Sequence, residues 1–163
     1  MRGPDYLALM TDDYAYCGGL HPNADSIAQT YDLRIGQPMN WLAVLPRDMV
    51  KNVSIEQAMN ATPLGMVQSE ALASLYLDVA RQVISAVDGQ CSDTMELLAG
   101  PFMLWPDARQ GGIGIRPTRP AHAFAACAVP GLIGVDVLRR RGVAPALPQA
   151  IMAGHQAFTG RAR

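Results

Sequence analysis

The segment YCGGLHPN, residues 16–23, brings a thiol and an imidazole close together in the chain, in Cys17 and His21. A nearby histidine can activate a cysteine, and the amides of Gly18 and Gly19 could bind an oxyanion. However, no acid is fixed in the sequence to orient the imidazole. If Cys17 ends a helix, the negative end of the helix dipole raises its thiol pKa. We therefore expect the two glycines to end a helix here.

Zinc binding is the other chemistry that Cys17 and His21 could support. Together with His122 and Cys127 they supply two thiolates and two imidazoles, which is enough for a closed tetrahedral site. Against this reading, His122 and Cys127 lie on an expected helix, where their spacing turns their side chains about 140° apart. We expect no cofactor, and zinc is the alternative that these four residues leave open.

The glycine- and arginine-rich loop at residues 100–120 contains the best candidate for a ligand site. Its glycines could present successive backbone N–H groups to an anion, and its arginines could add guanidinium donors. The residues concerned are Arg109, Gly111, Gly112, Gly114, Arg116 and Arg119. The spacing matches neither a P-loop nor a dinucleotide-binding fingerprint. The sequence therefore predicts a phosphate or carboxylate site, with a hairpin carrying solvated arginines as the alternative.

The composition favours a protein partner or a homo-oligomer. Charged residues make up 17% of the chain, against about 25% in average soluble domains. A small domain has much surface to cover, so a shortage of charge suggests that part of this surface contacts another protein. The nine methionines are adaptable contact residues for such an interface.

Arginines are concentrated in the last part of the sequence, although the net charge is only -1. Arg139, Arg140 and Arg141 precede Gly142, where cations stabilise the C-terminal end of a helix. They could contact nucleic acid phosphates, but no stacking aromatic residues are interleaved with them. We therefore regard nucleic acid as an unfavoured partner.

Cysteine usage and hydropathy predict a cytoplasmic protein. The three cysteines are an odd number and do not suggest a disulfide framework. The N-terminal stretch MRGPDYLALMTDDYAY has no apolar signal segment. The most apolar stretch, residues 121–138, is shorter than the roughly 20 residues that a spanning helix needs, and Pro130 and Asp136 interrupt it. We expect no membrane association.

The periodicity predicts a mainly α single domain over residues 1–163, an irregular helical bundle around one long central helix at about residues 62–88. Thr62 and Pro63 would begin that helix, and Gly89 would end it. Two shorter helices are expected in DYLALMTDDYAY and ADSIAQTYDL, and others in LIGVDVLRRR and QAIMAGHQAF. A small two-stranded β element could form from FMLW and GIGI.

The leading functional hypothesis is a helical interaction or assembly protein that buries an apolar face on a partner or on itself. No complete set of nucleophile, base and acid supports an enzyme. The first alternative is an enzyme or binding protein for a small anion held by the Arg109–Arg119 loop, with His21, His122 or the Asp12–Asp13 pair transferring protons. The second alternative is the zinc protein described above.

Overall fold

The fold is mixed α/β, with two antiparallel β-sheets beside its helices, so the expectation of a mainly α fold is wrong. The structure, a computed structural model, describes residues 1–3, 5–16, 18, 23–50, 66–87, 91, 100–118 and 122–161. Its elements are β1 Tyr6–Ala15, β2 Asn23–Asp32, β3 Gln37–Pro38, α1 Trp41–Val44, β4 Met66–Val67, α2 Glu70–Val87, β5 Phe102–Asp107, β6 Gly112–Pro117, a 3₁₀ helix His122–Cys127, β7 Gly131–Gly134, α3 Val135–Arg140 and α4 Ala146–Arg161. The first sheet has the order β1-β2-β3 and the second the order β4-β5-β6-β7.

The two helices expected near the N-terminus are instead strands β1 and β2, which pair along their full length from Tyr6↔Asp32 to Ala15↔Asn23. Asp, Thr and Tyr are poor helix formers, and β1 contains four such residues between positions 11 and 14. Gly18, with φ +84°, lies in the connection between the strands. A glycine-containing segment ends a helix or connects a hairpin equally well, which explains the error.

Residues of the hairpin alternate between its two faces, as they must in a strand. On the inner face, Ala28, Thr30 and Asp32 are buried, as is Tyr6 opposite Asp32. The guanidinium of Arg34 donates to the carboxylate of Asp32 and to the Tyr6 hydroxyl. These bonds to Arg34 lower the pKa of Asp32. The base of the hairpin is therefore fixed, while its other end extends towards solvent.

The second sheet confirms the strands expected at FMLW and GIGI. Strands β5 and β6 form a hairpin, with Trp105 opposite Gly114, and β7 pairs with β6. Helix α2 covers this sheet through the buried residues Leu72, Leu75, Tyr76 and Ala80. All four lie within the long helix expected at about residues 62–88, and their three- to four-residue spacing forms an apolar stripe. One connected core includes these residues together with Tyr6, Met39 and Trp41 of the N-terminal part.

Several boundaries differ from the sequence expectation. Helix α2 begins after Ser69, whose hydroxyl accepts from the Leu72 amide at 3.3 Å, and Met66–Val67 before it is a strand. The expected start at Thr62 and Pro63 lies outside the described residues. The first part of the expected helix LIGVDVLRRR is strand β7, because it pairs with β6 from Ile115↔Gly131 to Gly112↔Gly134. At Gly131 the strand packs so closely on α2 that a Cβ would lie 2.6 Å from Val79.

Cys91 and Cys127 form a disulfide, which contradicts the expectation that the cysteines build no disulfide framework. The odd count misled because two cysteines pair and leave Cys17 over. Disulfides form mainly in oxidising compartments, so the cysteine argument for the cytoplasm no longer holds. Among the described helices, none combines the length and hydropathy needed to cross a membrane.

The disulfide predicts one free thiol per chain in unfolded, unreduced protein and three after reduction, measurable by thiol titration in denaturant. Replacing both Cys91 and Cys127 by alanine removes a cross-link between residues 36 positions apart. This should lower the free energy of unfolding by about 4 kcal/mol, because the denatured chain gains entropy. The variant Cys17→Ala serves as the control and should unfold at the wild-type denaturant concentration. Three free thiols before reduction would contradict the pairing.

Candidate functional site

The turn between β5 and β6 uses its own amides, including one that the anion prediction had assigned to a ligand. The Asp107 carboxylate accepts from the amides of Arg109 and Gln110, and the Gly111 amide donates to the Asp107 carbonyl at 2.9 Å. Gly111 has φ +74°, a conformation that favours glycine. From α4, the His155 Nδ1–H donates to the Ala108 carbonyl at 2.9 Å. The turn is therefore stabilised by its own hydrogen bonds to Asp107 and by the hydrogen bond from His155 of α4.

Gly112 and Gly114 lie in strand β6, where their lack of a side chain makes room for neighbours. A Cβ on Gly112 would lie 2.4 Å from the Ile133 carbonyl oxygen, and one on Gly114 would lie 2.1 Å from the indole of Trp105. Trp105 and Gly114 are directly opposite in the β5–β6 ladder, so the indole lies over Gly114 in the space that a side chain there would fill. The structure gives both glycines a packing role.

Of the three arginines assigned to the anion site, the two that the structure describes do not converge. Arg109 is exposed in the turn, with its Cζ 5.4 Å from the centre of the Phe158 ring. Arg116 lies near the opposite end of β6 and is engaged within the protein: its Nε donates to the Ala128 carbonyl at 2.8 Å. Arg119 lies outside the described residues. Only Arg109 combines exposure with a position at the predicted turn.

Arg116 connects the second sheet to the β1–β2 hairpin. Its Nη1 donates to the Ser26 hydroxyl at 3.0 Å, and that hydroxyl donates to the Asp12 carboxylate at 2.7 Å. Next to this chain of hydrogen bonds, the Tyr76 hydroxyl donates to the Val129 carbonyl at 2.9 Å. Burial raises the pKa of Tyr76 to about 12, although the charge of Arg116 opposes the shift. Tyr76 is therefore neutral at physiological pH and serves as a fixed donor.

The four residues predicted to bind zinc do not form a site in the described structure. Cys127 is in the disulfide with Cys91 and supplies no free thiolate. His122 begins the 3₁₀ helix, and its side chain is outside the described part, as are Cys17 and His21 entirely. No group of three or more metal-ligating side chains occurs in the described ranges.

The arginine run expected at a helix end does lie there. Helix α3 ends at Arg140, and Gly142, with φ +78°, follows it. Arg139 forms an ion pair with Asp136 at 3.6 Å, and both side chains are largely exposed. The proposed contact of this run with nucleic acid stays a prediction.

A cleft of about 1220 Å³ lies between the hairpin, the end of β5 and helix α4. Its walls include Met10 from β1, Trp105 and Arg109 from the second hairpin, and Gly154 and Phe158 from α4. Sequence reasoning missed the cleft because its walls come from three segments far apart in the chain. No local pattern in the sequence indicates that these segments meet.

The outer edge of β1 is the second feature that sequence reasoning missed. In the first sheet, β1 is an edge strand, and residues 1–3 pair only with its beginning, through Gly3 to Tyr6 and Met1 to Ala8. Beyond Ala8, no described segment pairs with this edge. An open strand edge is a ready template for another strand.

Gly114→Ala tests whether this glycine serves packing. The added methyl group must displace the Trp105 indole, so we expect a loss of about 1–3 kcal/mol in unfolding free energy together with altered tryptophan fluorescence. Gly134→Ala is the matched control, because a Cβ at Gly134 meets no atom within 4 Å. Equal stability of the two variants, measured by denaturant unfolding, would refute the packing role.

Comparison with known proteins assigns no family to the chain. No protein-family model, no curated protein and no solved structure matches it. The function has to be inferred from the geometry of the chain itself, above all from the edge of β1 and the cleft beside it.

Proposed function

We propose that the protein is an interaction module that assembles through the outer edge of β1, and that the strand bound there is β1 of a second copy. The observation that carries this proposal is the edge of β1 beyond Ala8, with which no described part of the chain pairs, beside apolar side chains that are exposed to solvent. Strand addition to such an edge is a common mode of protein recognition, because main-chain hydrogen bonds supply affinity and side chains supply specificity.

The direction of the main-chain groups along β1 can be read from its neighbours. The N–H and C=O of Ala8 both bond to Met1, which lies on the side away from β2. Because these groups alternate in direction along an antiparallel strand, those of Met10, Asp12 and Tyr14 also point away from β2. The edge therefore offers three donors and three acceptors in a row.

Apolar exposure along the same strand supports an interface. Leu9 is 49% exposed, Met10 is 48% exposed and Tyr14 is 70% exposed. Scattered apolar residues on a surface are common, but here three lie on one short edge strand, Met10 and Tyr14 on one face and Leu9 on the other. The low charged fraction of the sequence, 17%, agrees with such a surface being covered.

One antiparallel register suits the pairing of β1 with its own copy. With Thr11 on the two-fold axis, Met10 of each copy faces Asp12 of the other, and the two pairs make four main-chain hydrogen bonds. A centre at Met10 would use Ala8, which already bonds to Met1, in two of its hydrogen-bonded pairs. With the centre at Thr11, Ala8 lies opposite Tyr14 of the other copy, so the pairing ends at Asp12 and each strand turns away from Met1 after Asp13. A centre at residue 12 or 13 would place identical aspartates opposite each other, which is destabilising.

Main-chain pairing alone would give weak association in this register. Each hydrogen bond contributes about 1 kcal/mol net, whereas association costs at least roughly 4 kcal/mol in lost translational and rotational freedom. Burial of the side chains of Leu9, Met10 and Tyr14, at about 25 cal/mol per Å² of apolar surface, supplies the remaining stabilisation. Both the main-chain hydrogen bonds and these three apolar side chains therefore contribute to binding.

The oligomeric state tests this proposal. Light scattering on a size-exclusion column should give the wild type twice the chain mass of 17.5 kDa. Met10→Pro removes an outward N–H, a change that an edge strand tolerates, and Thr11→Arg places two like charges across the axis. Each should raise the dimer dissociation constant at least about tenfold, or about 1.4 kcal/mol.

The matched control is Ile35→Arg, which changes a residue that is 67% exposed in the turn after β2. This variant should stay dimeric. Thermal unfolding should show that all three variants keep the fold. A wild type that stays monomeric at high concentration would refute the proposal, as would dimers that survive both Met10→Pro and Thr11→Arg.

A further inference from the structure

The cleft beside β1 has walls of a distinct chemical character. Met10, Trp105 and Phe158 are large apolar residues, and Gly154 of α4 packs so closely on the turn that a Cβ there would lie 2.9 Å from that of Ala108. Trp105 is held in place because its indole crosses Gly114. The volume of about 1220 Å³ exceeds the roughly 300–1,000 Å³ typical of small-molecule sites, so a molecule with two linked rings fits.

The charge at the cleft is positive. Arg2 and Arg109 both border it, and in the described ranges neither forms an ion pair with a carboxylate. The one acid at its wall, Asp107, uses its carboxylate oxygens to accept N–H groups from Arg109 and Gln110. Arg109 is placed by contact with the face of the Phe158 ring, at 5.4 Å from its centre.

Apolar walls and unpaired guanidinium groups together select a ligand. An apolar molecule buries its rings against Trp105 and Phe158, and an anionic group on the same molecule pairs with Arg109, whose planar fork matches carboxylate, sulfonate and phosphate oxygens. We infer that the cleft is a binding site for a small amphipathic anion, an apolar ring system with one acidic group, and that Arg109 selects the charge. This site adjoins the β1 edge proposed for self-assembly, because Met10 borders both, but it binds its ligand through Trp105, Arg109 and Phe158, which lie outside β1.

Two fluorescent probes of nearly the same shape test this inference. Anilinonaphthalene sulfonate carries an acidic group, and N-phenylnaphthylamine is the same ring system without it. Titrations of the full-length protein should give one site for the sulfonate. Arg109→Gln should raise the dissociation constant of the sulfonate about tenfold, equivalent to about 1.4 kcal/mol, and should leave that of the neutral probe unchanged.

Further variants show whether binding occurs in this cleft and whether a loss of binding is specific to Arg109. Phe158→Ala should weaken both probes, since it removes an apolar wall. Arg109→Lys retains the charge but not the planar fork, so it should weaken sulfonate binding less than Arg109→Gln does. Arg140→Gln, at an exposed arginine on α3, is the control and should change nothing. Equal sulfonate affinity in Arg109→Gln and Arg140→Gln would overturn the inference, as would unchanged affinity for both probes in Phe158→Ala.

Discussion

Arg116 is the residue on which the arrangement of the two sheets depends. From β6 its guanidinium donates hydrogen bonds to the carbonyl of Ala128 and to the hydroxyl of Ser26 in the β1–β2 hairpin. Ser26 in turn donates to Asp12, so one guanidinium ties both strands of the hairpin to the second sheet. Hydrogen bonds to a charged donor are stronger than neutral ones, and this set fixes the hairpin at its middle.

The position in which Arg116 holds the hairpin also determines which surfaces are exposed, namely the outer edge of β1 and the cleft beside it. The inner face of the hairpin is buried around Ala28, whose amide donates to the sulfur of Met103, while the outer edge of β1 beyond Ala8 pairs with no described segment. The cleft exists for the same reason: the hairpin is held over β5 and α4 but does not close on them. A loose hairpin would collapse onto the apolar surface around Trp105, because burial of apolar area is favourable.

Sequence reasoning succeeded where local signals dominate. The apolar stripe of α2, the strands at FMLW and GIGI and the glycine after α3 are set by periodicity and by turn residues. It failed at β1 and β2, because a strand pair is decided by hydrogen bonds between segments and not by either segment alone. The disulfide and the cleft likewise join distant residues, such as Cys91 with Cys127 and Met10 with Phe158. Such contacts leave no local trace in one sequence.

The central claim is that the outer edge of β1 is open in one copy and paired when two copies meet. Amide hydrogen exchange, followed by NMR at low and high protein concentration, measures this directly. Leu9 and Thr11 bond to β2 and should exchange slowly at every concentration, whereas Met10 and Asp12 should exchange quickly when the protein is dilute and slowly when it is concentrated. Rapid exchange of Met10 and Asp12 at all concentrations, or slow exchange at all of them, would contradict the account.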